Sequence, residues 1–375
     1  MSKKSSIGFM SLVLVVVLMF FCGCSNGAGT PGSVEGPEQG SAEGSEEVIY
    51  LTASCYLPPA HVASELMGEM LEEVERKSDG RVQFTYAAGG SILTAPQTAD
   101  GVEQGLADIG LSHISYTPGR FPVTEILVLP VGYSSSWVGT RITQDFLAKY
   151  QPKEWDNFQL LACWGGSTAS VNTASTPIRT LEDFKGKSMR GAGEIADALK
   201  ALGSTPRDIP MAEVYEGMSK GTIDGFLASS EVLKSFKLAD VTKYATYCPS
   251  IGNQYVFYIA MNKDKWAALP EDIQQIFLDL REEYEVKMGL GWNIMNVEGF
   301  QLTIEQGGEY ITLSDEEAAR WREAVQPVLD DYTARLVSQG FDEQEILEQF
   351  AFIQERMEYW DEVQIEEGIP SEADI

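Results

Sequence analysis

Apolar positions along the chain recur with two periods. From His61 to Lys77, the residues Val62, Leu66, Met67, Met70, Leu71 and Val74 return every three or four positions, which predicts a helix with one buried face. On either side, Val48–Leu51 and the run VQFTYAA read as strands, the second entered through the turn SDGR. A helix around Gln97–Gln104 leads to another strand within GLADIGLSHISY, and further on GKSM precedes the helical stretch EIADALKAL. Strands alternating with helices predict an open, largely parallel α/β sheet. Such a sheet offers a ligand crevice at the carboxyl ends of its strands.

Two longer-range features extend the pattern. The segments EQGLADIGL (Glu103–Leu111) and SKGTIDGFL (Ser219–Leu227) share a helix end, a glycine, an aspartate and a strand, which suggests two similar α/β lobes. Gly105 and Gly221 suit helix C-caps, where a left-handed backbone favours glycine. From Pro270 to Gln306, Ile273, Ile276, Phe277, Leu280, Tyr284 and Met288 form one apolar face that resumes at Trp292, Met295 and Phe300. At 1.5 Å per residue this is either one helix of about 50 Å, long enough to span two lobes, or two helices parted by a bend at Gly289 and Gly291. Ser314 caps a further helix from Asp315.

The N-terminus sets the address. Lys3 and Lys4 precede an apolar run from Ile7 to Phe21, too short for a membrane span and right for an export signal. It ends in FCGCSNG, which resembles a bacterial lipobox with Cys24 as the acylated residue. Residues 24–47 are mostly Gly, Ser, Pro and Glu and read as a disordered tether. The net charge of −29, which loss of two leader lysines makes still more negative, argues against nucleic acid or an anionic membrane surface as partner. Acidic runs near the C-terminus, such as DEQEILEQF, read as solvated helix faces. Cys55, Cys163 and Cys248 have no paired spacing and read as buried free thiols.

Chemical signatures are sparse. The chain has two histidines, His61 and His113, and no nucleophile elbow, phosphate-binding glycine loop, metal-ligand cluster or redox cysteine pair. Carboxylates are abundant, but nothing singles out two of them as a glycosidase pair. Arg190 is the informative cation, because it sits among Gly191, Ala192 and Gly193 where a strand runs into a helix. A guanidinium there offers a planar fork for a carboxylate, small neighbours admit a ligand to the backbone, and a nearby helix N-terminus favours an anion. A structural arginine paired with a protein carboxylate is the competing reading. For Arg207, read as a loop residue beside Asp208, the structural role is the stronger one.

The stretches TLEDFKGKSMR, ALKALGSTP and IPMAEVYEGMSKGTIDG, continued by GNQYVFYIAMNKDKWAALPEDIQQIF, resemble the solute-binding proteins of TRAP (tripartite ATP-independent periplasmic) transporters, the DctP-type family. Upstream, GVEQGLADIG and VTEILVLPVGY fit the same template. The resemblance implies an α/β, two-lobed periplasmic-binding-protein-like fold, type II-like, with a long lobe-spanning helix. It implies lobes over 48–167 plus about 255–290 and 168–254 plus about 291–330, with an acidic helical region at 331–375. It also implies hinged closure on a small organic acid, no cofactor, no metal and no enzymatic step, and delivery to a sodium-coupled TRAP permease.

Within the family the arginine matching Arg190 pairs with the ligand carboxylate. Sialic-acid-binding members carry a second arginine where this chain has Ser170, an asparagine where it has Ala228, and a glutamate where it has His113. A less polar pocket follows, with Tyr56, Tyr116, Trp164, Phe226 and Tyr255 as wall candidates and Trp164 favoured among them. The expected ligand is a monocarboxylate with an apolar or aromatic body, and a small dicarboxylate is second. A receptor that presents its ligand to a sensor kinase is the alternative function, and an anchored glycoside hydrolase is a remote one. If Cys24 carries lipid, Cys24→Ala will release the chain from the membrane fraction; an intact mass without acyl groups would refute the anchor.

Overall fold

A computed structural model of the chain describes residues 48–168 and 170–375. The leader, Cys24 and the tether lie outside the described residues. Two sheets organise the rest. The first has the order β2-β1-β3-β10-β4, from β1 (Ile49–Cys55), β2 (Val82–Ala87), β3 (Ile109–His113), β4 (Phe158–Thr168) and β10 (Asn253–Asn262). The second has the order β11-β9-β5-β8-β6-β7, from β5 (Ser170–Thr173), β6 (Ser188–Arg190), β7 (Thr205–Arg207), β8 (Gly225–Ala228), β9 (Tyr244–Tyr247) and β11 (Glu309–Thr312). The two sheets give the two-lobed α/β architecture expected, one sheet to each lobe.

Each sheet is mixed, a correction to the largely parallel sheet expected. β1 runs parallel to β2 and β3, and β6 parallel to β7 and β8. β10 runs antiparallel to β3 and β4, and β5 antiparallel to β8 and β9. The cause is the crossing of the chain. β4 leaves one lobe as β5 enters the other, and the chain returns from β9 to β10, so each lobe receives a strand from a direction that local periodicity does not report.

The internal echo has a structural basis. Gly105 and Gly221 end their helices at φ +73° and +68°. The aspartates then repeat one role. Asp108 accepts the backbone N–H of Thr52 at 2.8 Å, and Asp224 accepts that of Ser188 at 2.7 Å. In both lobes the carboxylate ties the start of one parallel strand to its neighbour. Arg207 lies on the short edge strand β7, not in a loop, and its Nε donates to Ser188.

A single helix, Glu271–Glu305, spans the lobes. Near its start Phe277 meets Phe84 of β2 at 6.2 Å, and near its end Phe300 meets Tyr310 of β11 at 4.9 Å. Gly289 and Gly291 stay helical and serve close approach. An added Cβ at Gly289 would stand 2.6 Å from Thr140 Oγ1, and one at Gly291 2.9 Å from Val62 Cγ2. Ser314 caps the Asp315–Ser338 helix by accepting from Glu317 N–H at 3.3 Å. The last long helix, Glu343–Glu367, lies on the first lobe, where Trp360 meets Trp137 at 5.6 Å. Cys55, Cys163 and Cys248 are buried and free, and burial pushes all three thiols up.

Gly299 is the tightest of these contacts, since a Cβ there would lie 2.0 Å from the carbonyl oxygen of Ser230, a backbone atom that cannot swing aside. Gly299→Ala is therefore expected to destabilise the fold by about 1–3 kcal/mol in urea unfolding. An unchanged midpoint and slope would contradict this seating of the helix on the second lobe.

Candidate functional site

The carboxyl ends of β1, β3, β6 and β8 converge on one point between the sheets. β1 delivers Tyr56, and β3 delivers His113 and then Tyr116 in the turn that follows. β6 ends at Arg190, β8 ends at Ala228, and Tyr255 and Phe257 project from β10 on the same side, two residues apart. These residues surround a cavity of ≈ 20 Å³, with Met211, Ser229 and Glu231 completing the wall. That volume has room for about one water and none for a larger molecule. The cleft is shut, and an organic acid can enter only if the lobes part.

Arg190 is fully buried. Its Nε donates to the carbonyl of Ile209 at 3.0 Å and its Nη1 to the Tyr255 hydroxyl at 3.0 Å. Nη2 is buried with no hydrogen-bond partner, and no carboxylate among the described residues forms an ion pair with this guanidinium. Arginine stays protonated, so the guanidinium carries a charge that no ion pair matches, the Glu231 carboxylate of the same wall lying against His61 instead.

The walls are aromatic. The His113 and Tyr116 rings lie 3.8 Å apart at 32°, Tyr255 is 4.5 Å from His113, and Tyr56 meets Tyr116 edge-on at 5.6 Å. Burial, reinforced by the Arg190 charge, holds His113 well below the usual histidine range. The imidazole is therefore neutral, and its Nδ1 is buried without a partner. Burial likewise pushes the Tyr56 and Tyr255 phenols up, so both keep their protons. The Tyr255 oxygen accepts from Arg190, and the Tyr116 oxygen accepts from Met211 N–H at 3.2 Å. Each hydroxyl proton is thus left to donate elsewhere. The arrangement can present a guanidinium N–H and phenolic O–H groups to a carboxylate, beside flat apolar faces.

The structure brings together Tyr56, His113, Tyr116, Arg190 and Tyr255, with Ala228 beside them. Trp164, Ser170 and Phe226 stand outside the cavity lining. Trp164 is consumed by packing, stacked on Phe257 at 5.6 Å and 13° and tilted against Trp292. Ser170 is buried and accepts from Asn172 Nδ2 at 2.7 Å, and Phe226 is fully buried inside β8. Phe257 was within reach of the strand period that exposes Tyr255. Glu231 was not, because it depends on the buried His61, whose Nε2 lies 3.2 Å from its carboxylate across the two lobes. The glycines after Arg190 also differ from expectation, since protein fills the space they open. A Cβ at Gly191 would meet Leu199 at 2.8 Å, and one at Gly193, where φ is +56°, would meet Ser115 at 2.9 Å.

Three comparisons bear on this geometry. The family model for bacterial extracellular solute-binding proteins, family 7 (DctP), matches residues 53–335. A TRAP periplasmic solute-binding protein from Desulfovibrio salexigens superposes with a TM-score of 0.72 at 30% identity, over 83% of this chain and 96% of that one. Another from Bordetella bronchiseptica, solved with bound (R)- and (S)-mandelate, gives 0.74 at 26% identity, over 82% and 99% of the two chains. The 2,3-diketo-L-gulonate-binding periplasmic protein of Escherichia coli K12 is 24% identical over 75% of this chain and 85% of its own length.

Proposed function

The chain belongs to the bacterial extracellular solute-binding proteins of family 7, and on that premise we propose that it is a TRAP receptor for a small monocarboxylate with an apolar or aromatic body. The observation that carries the reading is Arg190 Nη2, buried and unmatched in a closed aromatic cavity. A ligand carboxylate supplies the missing counter-charge and a second oxygen for the Tyr255 hydroxyl. Ala228 offers no polar partner and Ser170 lies outside the cavity, so a heavily hydroxylated sugar acid would lack the partners expected at those two positions, at about 1–3 kcal/mol for each polar group left unpaired. Mandelate in the Bordetella protein is an acid of the favoured kind. A small dicarboxylate is the second choice.

Capture would proceed by closure of the lobes, which excludes water and strengthens the charge pairing. The loaded receptor would then deliver its acid to a sodium-coupled membrane permease, with Cys24 holding the chain at the outer face of the membrane through its lipid. Exported relatives of the same family act as binding proteins, which supports a receptor over an enzyme.

Calorimetry with mandelate, benzoate and succinate, and with mandelamide as the uncharged counterpart, tests the site. Mandelate or benzoate should bind most tightly and mandelamide should not bind. Arg190→Ala should cost about 2–5 kcal/mol of affinity, the range for stripping one side of a buried charge pair. Arg190→Lys should also weaken binding, because a point charge cannot reproduce the fork. Unchanged affinity in a folded Arg190→Ala protein, or tighter binding of sialic acid than of any panel member, would overturn the reading.

A further inference from the structure

A pair of buried carboxyl groups lies where the lobes meet, outside the ligand cavity. Glu125 belongs to the turn Thr124–Val128, which packs on β10 of the first lobe. Glu194 opens the Glu194–Ala201 helix of the second lobe, directly after the Arg190 loop. They are 1% and 2% exposed on elements that pack against each other, and Glu194 Oε2 is buried with no hydrogen-bond partner. Two carboxylates have no proton to share, so a hydrogen bond between them requires that one of them be protonated.

The surroundings offset a second negative charge only in part. Gly119 N–H donates to Glu125 Oε1 at 2.5 Å. From the Asp315–Ser338 helix, Arg335 reaches Glu194 Oε1 at only 3.5 Å, and its side chain is 44% exposed. Tyr332 on that helix spends its proton on the carbonyl of Pro122 at 2.6 Å. Asp197, on the helix of Glu194, adds a like charge, and Glu154 is held by the N–H groups of Val123 and Thr124 at 2.9 and 2.6 Å. Burial and the neighbouring Glu194 push Glu125 from an ordinary 4.5 to about 8.

The pair is tied to the cleft. The loop between Arg190 and Glu194 sits on Ser115 of the first lobe at Gly193, so the lobes cannot part around Arg190 without drawing Glu194 away from Glu125. We propose that closing the cleft takes up a proton, shared between Glu125 and Glu194, and that opening releases it, which makes closure a pH-sensitive step. The sign follows from linkage. A carboxyl whose pKa is higher in the closed form favours closure fully below its open-state value. That contribution is lost as pH rises from about 4.5 towards about 8, by at most about tenfold in the closed-to-open ratio per pH unit.

Two measurements on the full chain without ligand test this, so their failure is separable from failure of the carboxylate site. The infrared carbonyl stretch of a protonated carboxyl should be present at neutral pH in the unaltered protein and weaker in Glu125→Gln, where the buried Glu372, pushed up to about 7, still contributes. Small-angle scattering should show the unaltered protein expanding as pH rises through that window. Glu125→Gln, whose amide can donate to Glu194 without titrating, should stay at one radius of gyration; Glu194→Gln serves if that variant does not fold. Absence of the carboxyl band in the unaltered protein, or an expansion that is missing or identical in the variant, would overturn the proposal.

Discussion

A guanidinium with no access to water and one nitrogen unmatched constrains everything around it. An unpaired charge in a protein interior costs several kcal/mol. Arg190 reduces that cost with bonds to Ile209 and Tyr255 but does not remove it. The chain as a whole is strongly negative, so its distant field repels the anion proposed as the partner of Arg190. Screening confines that repulsion to about 8 Å at physiological salt, while inside the closed cleft the local cation acts through a weak dielectric. Selection of an anion therefore depends on closure. In open cleft water the arginine is an ordinary surface cation; shut away, it demands a partner.

The fold supplies that closure from both sides. Arg190 stands on one sheet and its hydroxyl partner Tyr255 on the other. Tyr116 of the first lobe accepts the N–H of Met211 in the second, and His61 of the first faces Glu231 of the second. Behind them the lobe-spanning helix tilts Trp292 against His61 at 4.9 Å and donates from Trp292 Nε1 to Ser229 at 3.2 Å. The helix thus backs the cavity as well as bridging the sheets. The Glu125–Glu194 pair adds the proposed protonation step to the same set of interlobe contacts, and Glu194 occupies the helix N-terminus expected to favour an anion.

Local period carried much of the fold. The helix face from Val62 to Val74, the strand at Val82 and the caps at Gly105, Gly221 and Ser314 are short-range features, each decided by residues within a few positions. The antiparallel strands β5 and β10 are not of that kind, because their direction is set by where the chain crosses between lobes. The glycines of the long helix show the same limit. Gly289 and Gly291 read as one helix or a bend between two, whereas their partners Thr140 and Val62 lie far away in sequence. In the site, Arg190 and the aromatics at strand ends were legible because strand termini point into the crevice. Trp164 was the favoured wall candidate by sequence, and only the Phe257 ring stacked on it and the Trp292 ring tilted against it reveal its packing. Glu231 and the Glu125–Glu194 pair had no local signal at all.

The most direct measurement is a crystal structure of the chain with a bound aromatic acid such as mandelate. One carboxylate oxygen should lie about 2.7–2.9 Å from Arg190 Nη2, the distance of a charge-assisted hydrogen bond. The Tyr255 hydroxyl should donate to the carboxylate, and the ligand body should rest between Tyr56, His113 and Tyr116. An acid bound elsewhere, or one whose carboxylate leaves Nη2 to a water or a protein carboxylate, would contradict the role assigned to Arg190.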